Sequence, residues 1–295
     1  MVWNRTRRSL CIMEIVKEKR LTGERALFFG RDMQVSDCIF ADGESPLKHC
    51  ENITLERCSF EWKYPLWYSK RIRMENCNFS ETARAGIWYT DDLCVRDCTI
   101  SAPKTFRKSS NIVLESVTLP NAQETLWACK KVRINNVKAH GDYLAMNCED
   151  MEIDGLDLVG NYAFDGAKNV VIRNSRLMTK DAFWNSENIT VYDSVIAGEY
   201  LGWNSKNLTL INCTVESLQG LCYIENLVMK NCKLKNTTLA FEYSTVQAEI
   251  EGEIDSVLNP SGGRITADKI GQLILEKDRI DPEKTVIICR ENEKV

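Results

Sequence analysis

Between Asp32 and Leu234 the chain repeats one short phrase eleven times, at intervals of 19 to 21 residues. Each copy has an apolar pair, two or three polar residues, a small residue and a further apolar one, as in ITLERCSF, LCVRDCTI, ITVYDSVI and LTLINCTV. A unit this short cannot bury its own apolar face, so it must stack on its neighbours into a solenoid with one continuous core. The small position is Cys38, Cys58, Cys77, Cys98, Val117, Val137, Leu156, Ser175, Ser194, Cys213 and Cys232. The repeat supplies a scaffold, so function is sought in what decorates it.

Alternating apolar residues inside each phrase predict two short strands with one buried face. An Asn/Asp column separates them (Asn76, Asn174, Asp193, Asn212) and a second precedes the first strand (Asn52, Asn111, Asn169, Asn188, Asn207). These residues tolerate the left-handed conformation that a sharp corner requires. An apolar column at Leu66, Ile87, Phe106, Leu126, Leu144, Phe164, Phe183 and Leu201 marks a third strand. The reading is an all-β, single-stranded right-handed parallel β-helix of about 11 to 12 coils of 19–21 residues, with an irregular C-terminal cap. Right-handedness follows from the hand of parallel crossovers and from the missing hexapeptide period of left-handed coils. Residues 1–12 are read as an N-terminal extension, 13–245 as the β-helix, and 246–295 as a capping segment of the same domain.

A net charge of −4 argues against a nucleic-acid footprint, and no apolar run reaches the roughly 18 residues of a membrane helix. No secretory leader is read in the first 20 residues, which together with the odd count of 13 cysteines favours reduced thiols and a cytoplasmic location. Six cysteines share one repeat column with Val, Leu and Ser, as small hydrophobes would. The only histidines are His49 and His140 and no CxxC pair occurs, so no metal site is read. Nucleotide and cofactor glycine patterns are absent as well, and no cofactor is expected.

Neighbouring strand residues face opposite sides, so the column beside the apolar third-strand one points outward. It carries Trp67, Trp88, Arg107, Trp127, Ala145, Asp165, Trp184 and Gly202, with Trp203 one residue off it. An exposed aromatic stripe rimmed by charge is the look of a ligand groove. Two other readings stand beside that one: the C-terminal tail folds back over the stripe, or the stripe joins two copies as a homodimer. The column two residues before the apolar one contains Lys104, Glu124, Asp142, Tyr162, Asp181 and Glu199. Coils about 5 Å apart would set Asp181 and Glu199 at the separation of retaining glycosidases, and Asp142 and Asp181 nearer the inverting one. The candidate catalytic residues are therefore Asp142, Asp165, Asp181 and Glu199. The candidate ligand-binding residues are Trp67, Trp88, Trp127, Trp184 and Trp203, with Lys104, Arg107 and Lys180 to hold an acidic sugar. The plain alternative is that these charges only keep an edge soluble.

The period, the Asn corners and the segments KYPLW, TKDAFWNSENITVYDS and EYLGWNSKNLTLINC resemble a bacterial family of uncharacterised proteins, similar in architecture to the pectate-lyase-like right-handed β-helices. The resemblance spans roughly Ile15 to Gly263 and implies the fold, with no activity attached. Coils of 19–20 residues are shorter than those of the pectate lyases and polygalacturonases, whose calcium-binding Asp cluster and paired-Asp motif have no match here. The expected function is binding, or cleavage in the manner of a glycoside hydrolase or polysaccharide lyase, of an oligosaccharide or related polar small molecule along the aromatic edge. The alternative is a noncatalytic scaffold for protein contacts or self-association. Neither a nucleic acid nor a membrane is an expected partner.

Overall fold

The computed structural model describes residues 13–293; the N-terminal extension read at residues 1–12 lies outside them. The chain is a right-handed parallel β-solenoid of about 15 turns without an α-helix among the described residues. The first strand of each coil pairs in parallel with the next, from Glu14–Lys17 and Arg31–Ser36 up to Thr285–Cys289. Register keeps like with like: Ile53 lies beside Ile72, Val170 beside Ile189, and Leu208 beside Leu227.

The expectation of 11 to 12 coils falls short at the C-terminal end. At the start, Glu14–Lys17 and Arg20–Leu21 form a complete first rung around buried Val16. At the end, Thr245–Ile250, Gly262–Ala267 and Thr285–Cys289 extend the same sheet, while Glu253–Leu258 pairs with Lys269–Ile274 beside it. The stack therefore continues where the repeat phrase is no longer recognisable, because backbone pairing needs only alternating small and apolar residues.

The interior is a single cluster running from Val16 to Ala267, with Phe60, Phe79, Phe106, Phe164, Phe183 and Phe241 fully buried. Every described cysteine is a free thiol. The recurrent Cys/Ser position does more than fill space. The Cys77 thiol accepts the Cys58 N–H at 3.5 Å and the Cys98 thiol accepts the Cys77 N–H at 3.2 Å. The Ser175 and Ser194 hydroxyls do the same for Leu156 and Ser175 at 3.0 Å. Cys and Ser interchange here because each supplies an acceptor for a buried corner N–H. A second such column, Ser69, Thr90 and Ser109, serves the opposite corner.

Outside, the Asn/Asp corners are stitched along the rod. Asn169, Asn188, Asn207 and Asn226 each donate their Nδ2 to the side-chain oxygen one coil earlier, beginning at Asp150. These corner residues have φ between 54° and 64°. A neighbouring column alternates in sign, with Lys130–Glu149, Lys168–Glu187 and Lys206–Glu225 ion pairs of 2.7, 3.3 and 2.9 Å.

Candidate functional site

The decorated edge arises where each coil leaves its second strand and turns into the third. The corner residue is Tyr64, Ala85, Lys104, Glu124, Tyr143, Tyr162, Asp181, Tyr200 and Gln219 on successive coils, all with φ between 47° and 61°. Backbone bonds such as Tyr143 N–H to Asn161 O (2.8 Å), Tyr162 N–H to Lys180 O (2.8 Å) and Asp181 N–H to Glu199 O (2.8 Å) set this register. The corner is drawn tight by Gly141, Gly160 and Gly198. A Cβ on Gly160 would lie 2.1 Å from Gly141 O, and one on Gly198 2.1 Å from Thr179 O. The local sequences GDY, GNY, TKD and GEY are thus equivalent, and Asp181 stands where its neighbours carry tyrosine.

This register differs from the sequence expectation by one residue in two coils. Ala145 and Gly202, in place of Leu144 and Leu201, align with Phe164, Phe183 and Leu221. Both residues of the pair face inward, and the bulky one has moved one place back: Ala163–Phe164 and Ala182–Phe183 against Leu144–Ala145 and Leu201–Gly202. Trp203 consequently belongs to the outward column itself, with Trp67, Trp88, Arg107, Trp127, Met146, Asp165 and Trp184. Asp142 and Glu199 align with Lys180, one place away from Asp181, so the carboxylates do not share a column.

The tryptophans are half-exposed, and the strands of the tail continue the stack beyond the coils. Four of the five indoles are locked by their Nε1–H, which donates to a corner carbonyl of the next coil: Trp67 to Ala85 (2.7 Å), Trp88 to Lys104 (2.8 Å), Trp127 to Tyr143 (2.7 Å) and Trp184 to Tyr200 (3.2 Å). Trp67 and Trp88 stack with centroids 5.1 Å apart. The Arg107 guanidinium fills the following rung, 5.1 Å from the Trp88 centroid and 4.2 Å from that of Trp127, and pairs with Glu124. From Trp67 to Trp127 the facing groups thus cover one another, whereas Trp184 and Trp203 are tilted by 40°.

Two clusters result. At one, Trp67, Trp88 and Lys104 surround a cavity of about 410 Å³ together with Tyr64, Arg84, Ala85 and Pro103. At the other, five coils along, Trp184 and Trp203 lie 6.4 Å apart beneath Asp181, and Lys180 pairs with Glu199 at 3.1 Å. Asp142 accepts the Asn161 N–H at 2.7 Å, and Asp165 accepts from the Asn185 amide at 3.0 Å. The tyrosines that follow the Trp column in sequence belong to a third column, in which Phe29, His49, Tyr68 and Tyr89 form a continuous stack of 5.2, 5.2 and 4.7 Å. Its signal was an aromatic or His immediately after the Trp column, Trp67–Tyr68 and Trp88–Tyr89. Among the described residues no three His, Cys, Asp or Glu side chains converge as a metal site.

Asp181 is only 2% exposed, and burial raises its pKa; Lys180 and Tyr162 oppose that rise and Glu199 adds to it. A carboxyl that holds its proton more tightly when folded stabilises the fold below its unfolded value of about 3.9, and that contribution is lost as pH climbs through the raised folded value. Asp181→Asn should therefore raise Tm at pH 7 and leave it little changed near pH 3. Melting curves across that range test this; a lower Tm for the variant at pH 7 would show the carboxylate to be stabilising.

No curated protein matches the sequence. Similar solved structures include PfbA, a surface adhesin of Streptococcus pneumoniae (12% identity, 87% of this chain and 86% of that one, TM-score 0.46). Another is the A-module of the mannuronan C-5 epimerase AlgE4 of Azotobacter vinelandii (8%, 93% and 88%, TM-score 0.31). A tailspike protein variant of E. coli bacteriophage HK620 in complex with a hexasaccharide matches at 10% identity over 86% of this chain and 64% of that one, TM-score 0.38. Residues 14–288 match the family described as protein of unknown function DUF3737. The coils from first rung to last are thus covered by one family, and the chain belongs to the DUF3737 proteins.

Proposed function

We propose that the protein binds a carbohydrate chain bearing acidic groups along the aromatic edge, without cleaving it. The observation that carries this reading is a half-exposed row of indoles, four of them held by backbone hydrogen bonds, interleaved with Lys104, Arg107 and Lys180. Such a surface needs no rearrangement to receive a ligand, which lowers the ordering cost of binding. Binding is favoured over cleavage because three of the four candidate carboxylates already have a partner in the protein: Asp142 a backbone N–H, Asp165 the Asn185 amide, and Glu199 the Lys180 ammonium.

The test is a glycan array followed by titration with a galacturonate hexamer and a neutral hexamer. The acidic chain should bind more tightly, the more so at low salt, and the double substitution Trp127→Ala, Trp184→Ala should weaken it by about ten-fold or more, or about 1.4 kcal/mol. An array without an acidic oligosaccharide among its hits, or a double variant that binds as well as the parent, rejects the proposal.

A further inference from the structure

Each column of the edge is a near-continuous pile of side chains, so an interruption is conspicuous. Between Tyr64 and Lys104 the corner column carries only Ala85, and there the surface sinks into the cavity of about 410 Å³. In the same column Tyr143 and Tyr162 stack at 4.8 Å with planes 9° apart, which is the spacing that consecutive coils impose on rings. The level of Ala85 is thus the place of a ring that the chain itself does not supply. Tyr64 leans on Trp67 with centroids 4.7 Å apart and lines the gap. The walls are fixed, since the Trp67 indole donates to Ala85 O and the Trp88 indole to Lys104 O.

The charge around the gap is of one sign. Arg84 and Lys104 line it and no carboxylate does. Lys104 shares Glu124 with Arg107, whereas Arg84 makes no ion pair among the described residues and is exposed. We infer that this missing rung is a subsite for a single six-membered ring bearing a carboxylate, a hexuronate unit of a glycan, whose ring stacks on Tyr64 and whose carboxylate pairs with Arg84 and Lys104. This rests on the carbohydrate-binding reading and assigns where and how the acidic unit is held. A guanidinium that is free to bond a carboxylate through two N–H groups selects acid over neutral sugar at this position.

The decisive variant is Ala85→Tyr. The corner column already accepts tyrosine at Tyr64, Tyr143, Tyr162 and Tyr200 with the same positive φ, 52° at Ala85 and 54° to 61° at the others. The new ring should complete the pile, leave Tm unchanged or higher, and weaken binding of trigalacturonate by at least ten-fold, read from quenching of tryptophan fluorescence. Trigalacturonate binding retained in Ala85→Tyr overturns the subsite; if the hexamer then still depends on Trp127 and Trp184, the broader reading stands without it. The double variant Arg84→Met, Lys104→Met gives an answer independent of filling the gap: its preference for trigalacturonate over the neutral trimer should disappear, and a preference that persists overturns the assignment. Benzoate is the remaining arm, since its quenching as strong as that of galacturonate at equal concentration would point to a flat aromatic acid and reject a sugar.

Discussion

Phe183→Ala is expected to cost about 3 to 5 kcal/mol, the range for emptying a large aromatic site in a well-packed core. Phe183 is fully buried and lies over Phe164 with centroids 5.4 Å apart. It forms the inner wall directly behind Asp181 and Trp184, so the lost volume would be felt on the decorated edge. In a solenoid each coil touches only its neighbours, which keeps the damage local. Urea denaturation should show the loss in stability, and hydrogen exchange should quicken first in the coils between about residues 160 and 205. A cost below about 1 kcal/mol would mean that the surrounding coils collapse onto the gap, which close packing along a shared axis argues against.

Gly198→Ala is the second large effect, expected at about 3 kcal/mol. The added methyl would lie 2.1 Å from Thr179 O and 2.7 Å from Lys180 N, both backbone atoms of the coil beneath, so relief requires the two coils to part. Parting them would disturb the Lys180–Glu199 pair and the corner that presents Asp181. Gly252 is the control: it too has positive φ, at 86°, but nothing lies within 4 Å of its missing Cβ. Gly252→Ala should therefore cost only the conformational strain, about 1 kcal/mol. Equal losses in the two variants, measured by thermal melts, would show that backbone conformation and not crowding sets the cost at Gly198.

The architecture was readable because period, alternation and Asn corners are backbone requirements, and a residue that breaks them cannot be hidden. Val16 at the start was in register by the same logic. The edge was harder. Aligning bulk with bulk placed Leu144 and Leu201 beside Phe164 and Phe183, yet two successive inward positions exist there and either one can hold the large side chain. Volume is conserved across the pair while order is free, so hydrophobicity cannot fix register. The tight glycines could have: aligning GDY, GNY and GEY brings Tyr143, Tyr162 and Tyr200 together and returns Trp203 to its row. The tail was read as an irregular cap for a different reason. Its strands lack the Asn corners, and the turn at Asn259 is closed instead by the paired bonds between the Asn259 amide and Glu276 at 2.6 and 2.8 Å.

The stitched corner amides have a direction. Asp150 begins the longest run, Asp193 begins Asn212 and Asn231, Asp165 begins Asn185 and Asn204, and Asp92 begins Asn111. An ionised carboxylate accepts but cannot donate, and in each of these runs it stands at the starting position, with every amide after it aiming its N–H₂ backwards. Replacing Asp150 with asparagine would leave the aligned amide dipoles without their anionic terminus. The order of acid before amide therefore acts as a polarity mark, distinguishing one end of the rod from the other in its side chains as well as in its backbone.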